Sequence, residues 1–195
     1  YMLTVIGLML KGLPTIHFLF FTIIIIHYIY GNWKWLWSKT HFISIVSALI
    51  VISTYFYFYN SYMDANKTIA PIVDQATRRT ILRYDFLDMV KHLISYPIEN
   101  LYHFFPWTLL GFLVFQKNVI NILKSNRYIW YTLLCFTSNF IIYWISPEVY
   151  PRYILMLIPL IFTVWIYLYE FELGVSNKRM NIISYIFKVL ALLIP

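Results

Sequence analysis

The stretch from Leu13 to Tyr30 carries no formal charge. At about 1.5 Å rise per residue its helix would be about 27 Å long, close to the hydrocarbon thickness of a bilayer. Comparable apolar runs fall at roughly 1–10, 42–60, 98–115, 128–146, 153–169 and 181–195. Backbone amides in lipid need internal partners, and the runs show no period-2 alternation, so helices rather than a barrel are expected. The expected fold class is all-α: a polytopic transmembrane helix bundle of about six to seven spans, with residues 1–195 as one transmembrane domain. Composition points the same way. Hydrophobic residues make up 61% of the chain and charged residues 12%, whereas soluble domains average about 45–50% and about 25%.

Both ends interrupt apolar sequence, at Tyr1 and Pro195. The expectation is a section of a larger multi-pass protein, in a bacterial inner (plasma) membrane. Aromatic residues gather where runs end: Tyr28, Tyr30, Trp33, Trp35 and Trp37, then Tyr55, Tyr57, Tyr59 and Tyr62, then Tyr102 and Trp107. Rings with one apolar and one polar end suit a membrane–water interface. The net charge is +7, but no basic patch is interleaved with a nucleic-acid recognition motif, and basic loops beside lipid headgroups account for it. No nucleic-acid partner is therefore expected. Cys135, the single cysteine, lies in an apolar run and reads as packing.

The connecting loops differ in charge. Loop 31–41 carries Lys34 and Lys39 and loop 116–127 carries Lys117, Lys124 and Arg127, with no acid in either. The positive-inside bias makes these cytoplasmic. Lys11, the segment at 61–97 and the short turn holding Glu148 and Arg152 then share the external face. Within the long segment, Leu82, Phe86, Met89, Val90 and Leu93 recur at helical spacing among Arg79, Arg83, Asp88, Lys91 and His92. That pattern predicts an amphipathic interfacial helix ending near Pro97.

Phosphate-loop, dinucleotide-fold, zinc-protease and nucleophile-elbow motifs are missing from the sequence. The histidines at 17, 27, 41, 92 and 103 do not form a metal-ligand spacing, so no metal or cofactor is expected. What remains on the external face is a set of cations and phenols: Lys11, Arg78, Arg79, Arg83, Arg152 and Tyr153, with Glu99 and His103. Arginine binds phosphate bidentately and a phenol adds a directional donor, which suits an anionic lipid phosphate. Singly, each residue also reads as a headgroup contact or a local ion pair such as Glu148–Arg152.

Three stretches in order carry a resemblance. LMLKGLPTIHFLFF resembles the Thr-Lys-Gly-Pro span junction of membrane glycosyltransferases of the GT-C class. YPIENLYHFFPWTLL resembles the proline–tryptophan pair that closes their external segment, and YPRYILMLIPL their short external turn before a Leu- and Pro-rich helix. The chain from Lys11 to about Tyr169 is in this way similar to the dolichyl-phosphate-mannose-protein mannosyltransferase and aminoarabinose-transferase superfamily. The resemblance implies a polyprenyl-phosphate sugar donor among membrane lipids, and transfer of the sugar to an acceptor on the non-cytoplasmic face. It also implies a catalytic acid in a first external loop upstream of these residues, so that 1–195 lacks the general base. Arg152 and Tyr153, at the start of the last of these helices, are expected to meet the donor phosphate through the helix N-terminus. The alternative from another class is a non-enzymatic membrane component, a transporter half or a lipid-binding scaffold.

Overall fold

A computed structural model describes residues 1–11, 14–62, 86–146 and 149–173, with isolated positions between 181 and 189. Among these residues the chain is all-helical, without strands. Contacts divide it into two compact units, residues 1–85 with 146–148, and residues 86–145 with 149–195.

The first unit holds α1 (Met2–Lys11), α2 (Pro14–Tyr30), a 3-10 turn (Trp33–Trp37) and α3 (Lys39–Tyr62). Pro14 opens α2, where the missing N–H would have had no helical partner. Gly31 closes it with φ +66, and its N–H reaches the His27 carbonyl at 2.8 Å. A left-handed residue of this kind ends a helix at no Cβ cost only when it is glycine. Ser38 starts α3, its Oγ accepting from the His41 N–H at 3.2 Å. Gly7 lets α1 approach α2, since a methyl group there would collide with the Thr15 side chain. The buried rings of His27 and His41 flank Trp35 at 5.5 and 4.9 Å between centroids. His41 also meets the Tyr1 hydroxyl at 2.8 Å.

The second unit contains α4 (Phe86–His103), a 3-10 stretch (Trp107–Phe115), α5 (Val119–Ser125), α6 (Arg127–Ile145), a 3-10 turn (Pro151–Met156) and α7 (Ile158–Leu173). Its core joins Leu110 and Leu113 to Leu123, Ile129, Val164 and Leu168. Asn126 caps α6, its Oδ1 accepting from the N–H groups of Tyr128 and Ile129 at 3.0 and 3.3 Å.

Several sequence expectations are corrected here. The amphipathic helix does not end near Pro97 but runs through it to His103. Proline in a helix interior removes the N–H that would bond the carbonyl four residues back, here that of Leu93. The Trp144 indole of α6 donates to that carbonyl at 2.8 Å instead, so a tertiary contact fills the gap that normally breaks a helix. The run at 98–115 is not one helix. It divides between the end of α4 and the 3-10 stretch, with the peptide bond before Pro106 in cis. The run at 153–169 likewise divides between the second 3-10 turn and α7. The cause is Pro159, whose ring would clash with the Leu155 carbonyl in a continuous α-helix. At the second position of α7 the same ring is tolerated.

Among the described residues two helices, α3 with 24 residues and α6 with 19, are long and apolar enough to cross a membrane, and α2 is a shorter apolar helix. The two differ in packing. Residues Ile129, Thr132, Cys135, Asn139 and Tyr143 of α6 are buried, whereas α3 leaves Phe42, Ile43, Leu49, Ile50, Tyr57 and Phe58 exposed.

Candidate anion-binding groove

The 3-10 turn at Pro151–Met156 forms one wall of an open groove of about 650 Å³, lined by His103, Phe104, Tyr150, Pro151, Arg152 and Leu155. Every lining residue belongs to the second unit. His103 ends α4, and Phe104 opens the turn that follows it through Phe105–Pro106.

Local geometry explains how Arg152 is held. Three residues make one turn of a 3-10 helix, so side chains at i and i+3 eclipse. Tyr150 and Tyr153 have that spacing, the Tyr153 N–H bonding the Tyr150 carbonyl at 2.9 Å. Their rings stack at 6.4 Å between centroids and 26° between planes. The Arg152 guanidinium lies over both rings, 5.2 Å from the Tyr150 centroid and 5.6 Å from that of Tyr153. A cation within about 6 Å of a ring face is attracted by the ring quadrupole. Ring contact holds the flat guanidinium without using the N–H donors on its edge. Among the described residues no acid pairs with Arg152, and its side chain is exposed. Glu148, the sequence's ion-pair candidate, lies outside the described residues.

The structure thus brings together Arg152 and His103 of the expected site residues. Tyr153 supports Arg152 but does not line the groove. Glu99 is exposed on α4 and does not line it either. Lys11 ends α1 in the other unit, and its side chain lies outside the described residues, as do Arg78, Arg79 and Arg83 entirely. The expected helix N-terminus at Arg152 is corrected: α7 starts only at Ile158, and Arg152 stands in the preceding 3-10 turn. Tyr150, Phe104 and Leu155 escaped the sequence reading. Only a 3-10 assignment, which makes Tyr150 and Tyr153 neighbours, would have singled out Tyr150.

Two turns before His103 on α4, Tyr96 is wholly buried. Its ring lies 5.0 Å from His92 and 6.1 Å from Phe140 of α6. Burial pushes its phenol up to about 12, opposed by Asn100 and reinforced by the nearby Tyr143 and Glu99. Asn100 is thus the polar side chain beside that phenol, although their contact falls short of strict hydrogen-bond geometry. Among those residues no group of acids, histidines and cysteines could hold a metal ion.

Comparison with family models, with curated proteins and with solved structures finds no match to this chain.

Proposed function

We propose that the chain is a section of a multi-pass membrane glycosyltransferase whose groove holds the phosphate of a polyprenyl-phosphate-linked sugar. The observation that carries this reading is the exposed Arg152 guanidinium set on the Tyr150 and Tyr153 rings with His103 across the groove. Two groups able to donate to an anion sit beside Phe104, Pro151 and Leu155, which suit the first isoprene unit next to a phosphate. The resemblance in the three ordered stretches supplies the sugar. A bilayer would cover the apolar residues that α3 leaves exposed. The reading carries with it six to seven spans, the inner membrane of a bacterium, and transfer on the non-cytoplasmic face.

The test is binding of citronellyl phosphate to the purified protein in lipid nanodiscs. A hydrogen bond to a charged group is worth about 1.5–3 kcal/mol, so Arg152→Ala should weaken binding about ten- to 150-fold. Equal affinity in the variant would end the phosphate role. Residues 1–195 alone should bind without transferring sugar, because the resemblance puts the acidic base upstream. Transfer by this segment would place the base within it, and Asp64 and Glu99 would be the first substitutions to make.

One observation favours the non-enzymatic alternative. Asn139, in the middle of α6, is 2% exposed, and its Oδ1 has no partner among the described residues. Transporters place polar groups near the middle of their spans. Uptake of a solute by proteoliposomes, lost in Asn139→Leu with phosphate binding intact, would decide for that reading.

A further inference from the structure

The two nitrogen donors that line the groove, Arg152 and His103, differ in how they hold charge. A guanidinium stays charged at every accessible pH, whereas an imidazole gains or loses a proton near neutrality. His103 is the last residue of α4, where the carbonyl end of the helix favours positive charge, and its side chain is exposed. Among the described residues no hydrogen bond or ion pair occupies its ring, which lies 5.7 Å between centroids from Tyr102. Its nitrogens are therefore open to a ligand without any rearrangement of the groove.

Among the described residues none that lines the groove is acidic. On α4 itself, Glu99 lies one turn before His103, exposed and outside the lining. The 3-10 turn brings the Arg152 cation with Tyr150 and Tyr153. α6 meets α4 through Phe140, Tyr143 and Trp144, of which only the Tyr143 phenol can ionise. The 3-10 stretch Trp107–Phe115 carries no ionisable side chain, and α7 none before Tyr167. A phenol has no charge near neutrality. The empty groove thus sets a proton on His103 against the Arg152 cation, with Glu99 to one side. A phosphate reverses this, because its negative charge would face both residues. A hydrogen bond from an imidazolium to such an anion is roughly twice as strong as one from the neutral ring.

We propose that His103 makes anion capture in this groove proton-linked, its imidazole taking up a proton from water as the phosphate enters. The proposal rests on the phosphate reading above and adds its regulation: the groove holds phosphate more tightly in acid than in alkali.

Citronellyl phosphate itself gains a second charge near about pH 6, so the probe is its methyl diester, whose single charge is constant. The purified protein is held in phosphatidylcholine nanodiscs. Affinity should fall about three- to tenfold as pH rises from about 5.5 to about 8.5, the difference between a charged and a neutral donor at an open site. Calorimetry in two buffers of unlike ionisation enthalpy should register uptake of part of a proton at neutral pH. His103→Gln keeps a neutral donor and should lose both the pH dependence and the uptake. His103→Lys carries a fixed charge, so in alkali it should keep the affinity that the wild type shows only in acid. Arg152→Ala should weaken the probe at every pH while the uptake persists. If phosphatidylglycerol in the nanodisc displaces the probe with the same pH dependence, the groove's phosphate is a headgroup, which keeps the proposal and overturns the polyprenyl reading. Binding that is constant across the pH range without proton uptake, or a pH dependence that survives in His103→Gln, overturns the proposal and leaves the phosphate reading standing. No binding at any pH overturns both.

Discussion

Replacing Trp144 by phenylalanine tests how α4 survives a proline in its interior. Pro97 has no N–H, so the Leu93 carbonyl loses its helical donor, and the Trp144 indole supplies one at 2.8 Å from α6. Both side chains are partly buried. Leaving a buried carbonyl unsatisfied costs about 1–3 kcal/mol, and partial access of water puts this case in the lower half. The smaller phenylalanine ring gives up about 40 Å² of apolar contact, which at about 25 cal/mol/Å² adds about 1 kcal/mol. The expected loss is about 2–3 kcal/mol in chemical unfolding of the purified protein in mild micelles. A second substitution separates the two parts. Pro97→Ala restores the backbone donor to Leu93, so in that background Trp144→Phe should cost only the packing part. The coupling between positions 97 and 144 should then be about 1 kcal/mol or more. An identical cost of Trp144→Phe in the two backgrounds would refute the reasoning and leave the indole as a packing residue only.

Other outcomes follow from the same features. With Cys135 replaced, cysteines at Asn66 and Lys124 should label from opposite sides of the membrane, because loops 31–41 and 116–127 carry only basic charge; labelling from one side refutes that topology. In the citronellyl phosphate assay, Arg152→Lys should recover only part of the affinity lost in Arg152→Ala, since the planar fork is gone. Tyr150→Leu should cost about two- to thirtyfold, the worth of a cation–π contact of about 0.5–2 kcal/mol, and wild-type affinity would show that the ring does not hold the guanidinium. Stability should fall as pH rises from about 10 to about 12. The folded protein keeps the Tyr96 proton that the unfolded chain releases near 10, so unfolding is favoured across that window. Tyr96→Phe should remove this part of the alkaline loss, and an unchanged pH–stability curve in the variant would contradict it.

The helices themselves were legible in the chain. Apolar run length and absence of charge are local signals, and α1, α2, α3 and α6 fall within a few residues of the runs they predicted. The sequence also singled out Arg152 and His103, together with Lys11, Arg78, Arg83, Glu99 and Tyr153, because charged groups, phenols and imidazoles beside apolar runs stand out by residue type alone. What failed were inferences about proline. Pro97 read as a stop, but its effect depends on whether another element offers a donor to the Leu93 carbonyl, and Trp144 is 51 positions from Leu93 in the chain. Pro159 read as part of one long helix, yet its clash with the Leu155 carbonyl leaves Arg152 in a 3-10 turn, where Tyr150 and Tyr153 eclipse beneath it. The meeting of His103 with Arg152 likewise comes from how α4 and the turn pack. Periodicity fixes which residues share a face of one helix. Whether the polar atoms on that face find partners depends on the neighbouring helix, and only the tertiary structure decides it.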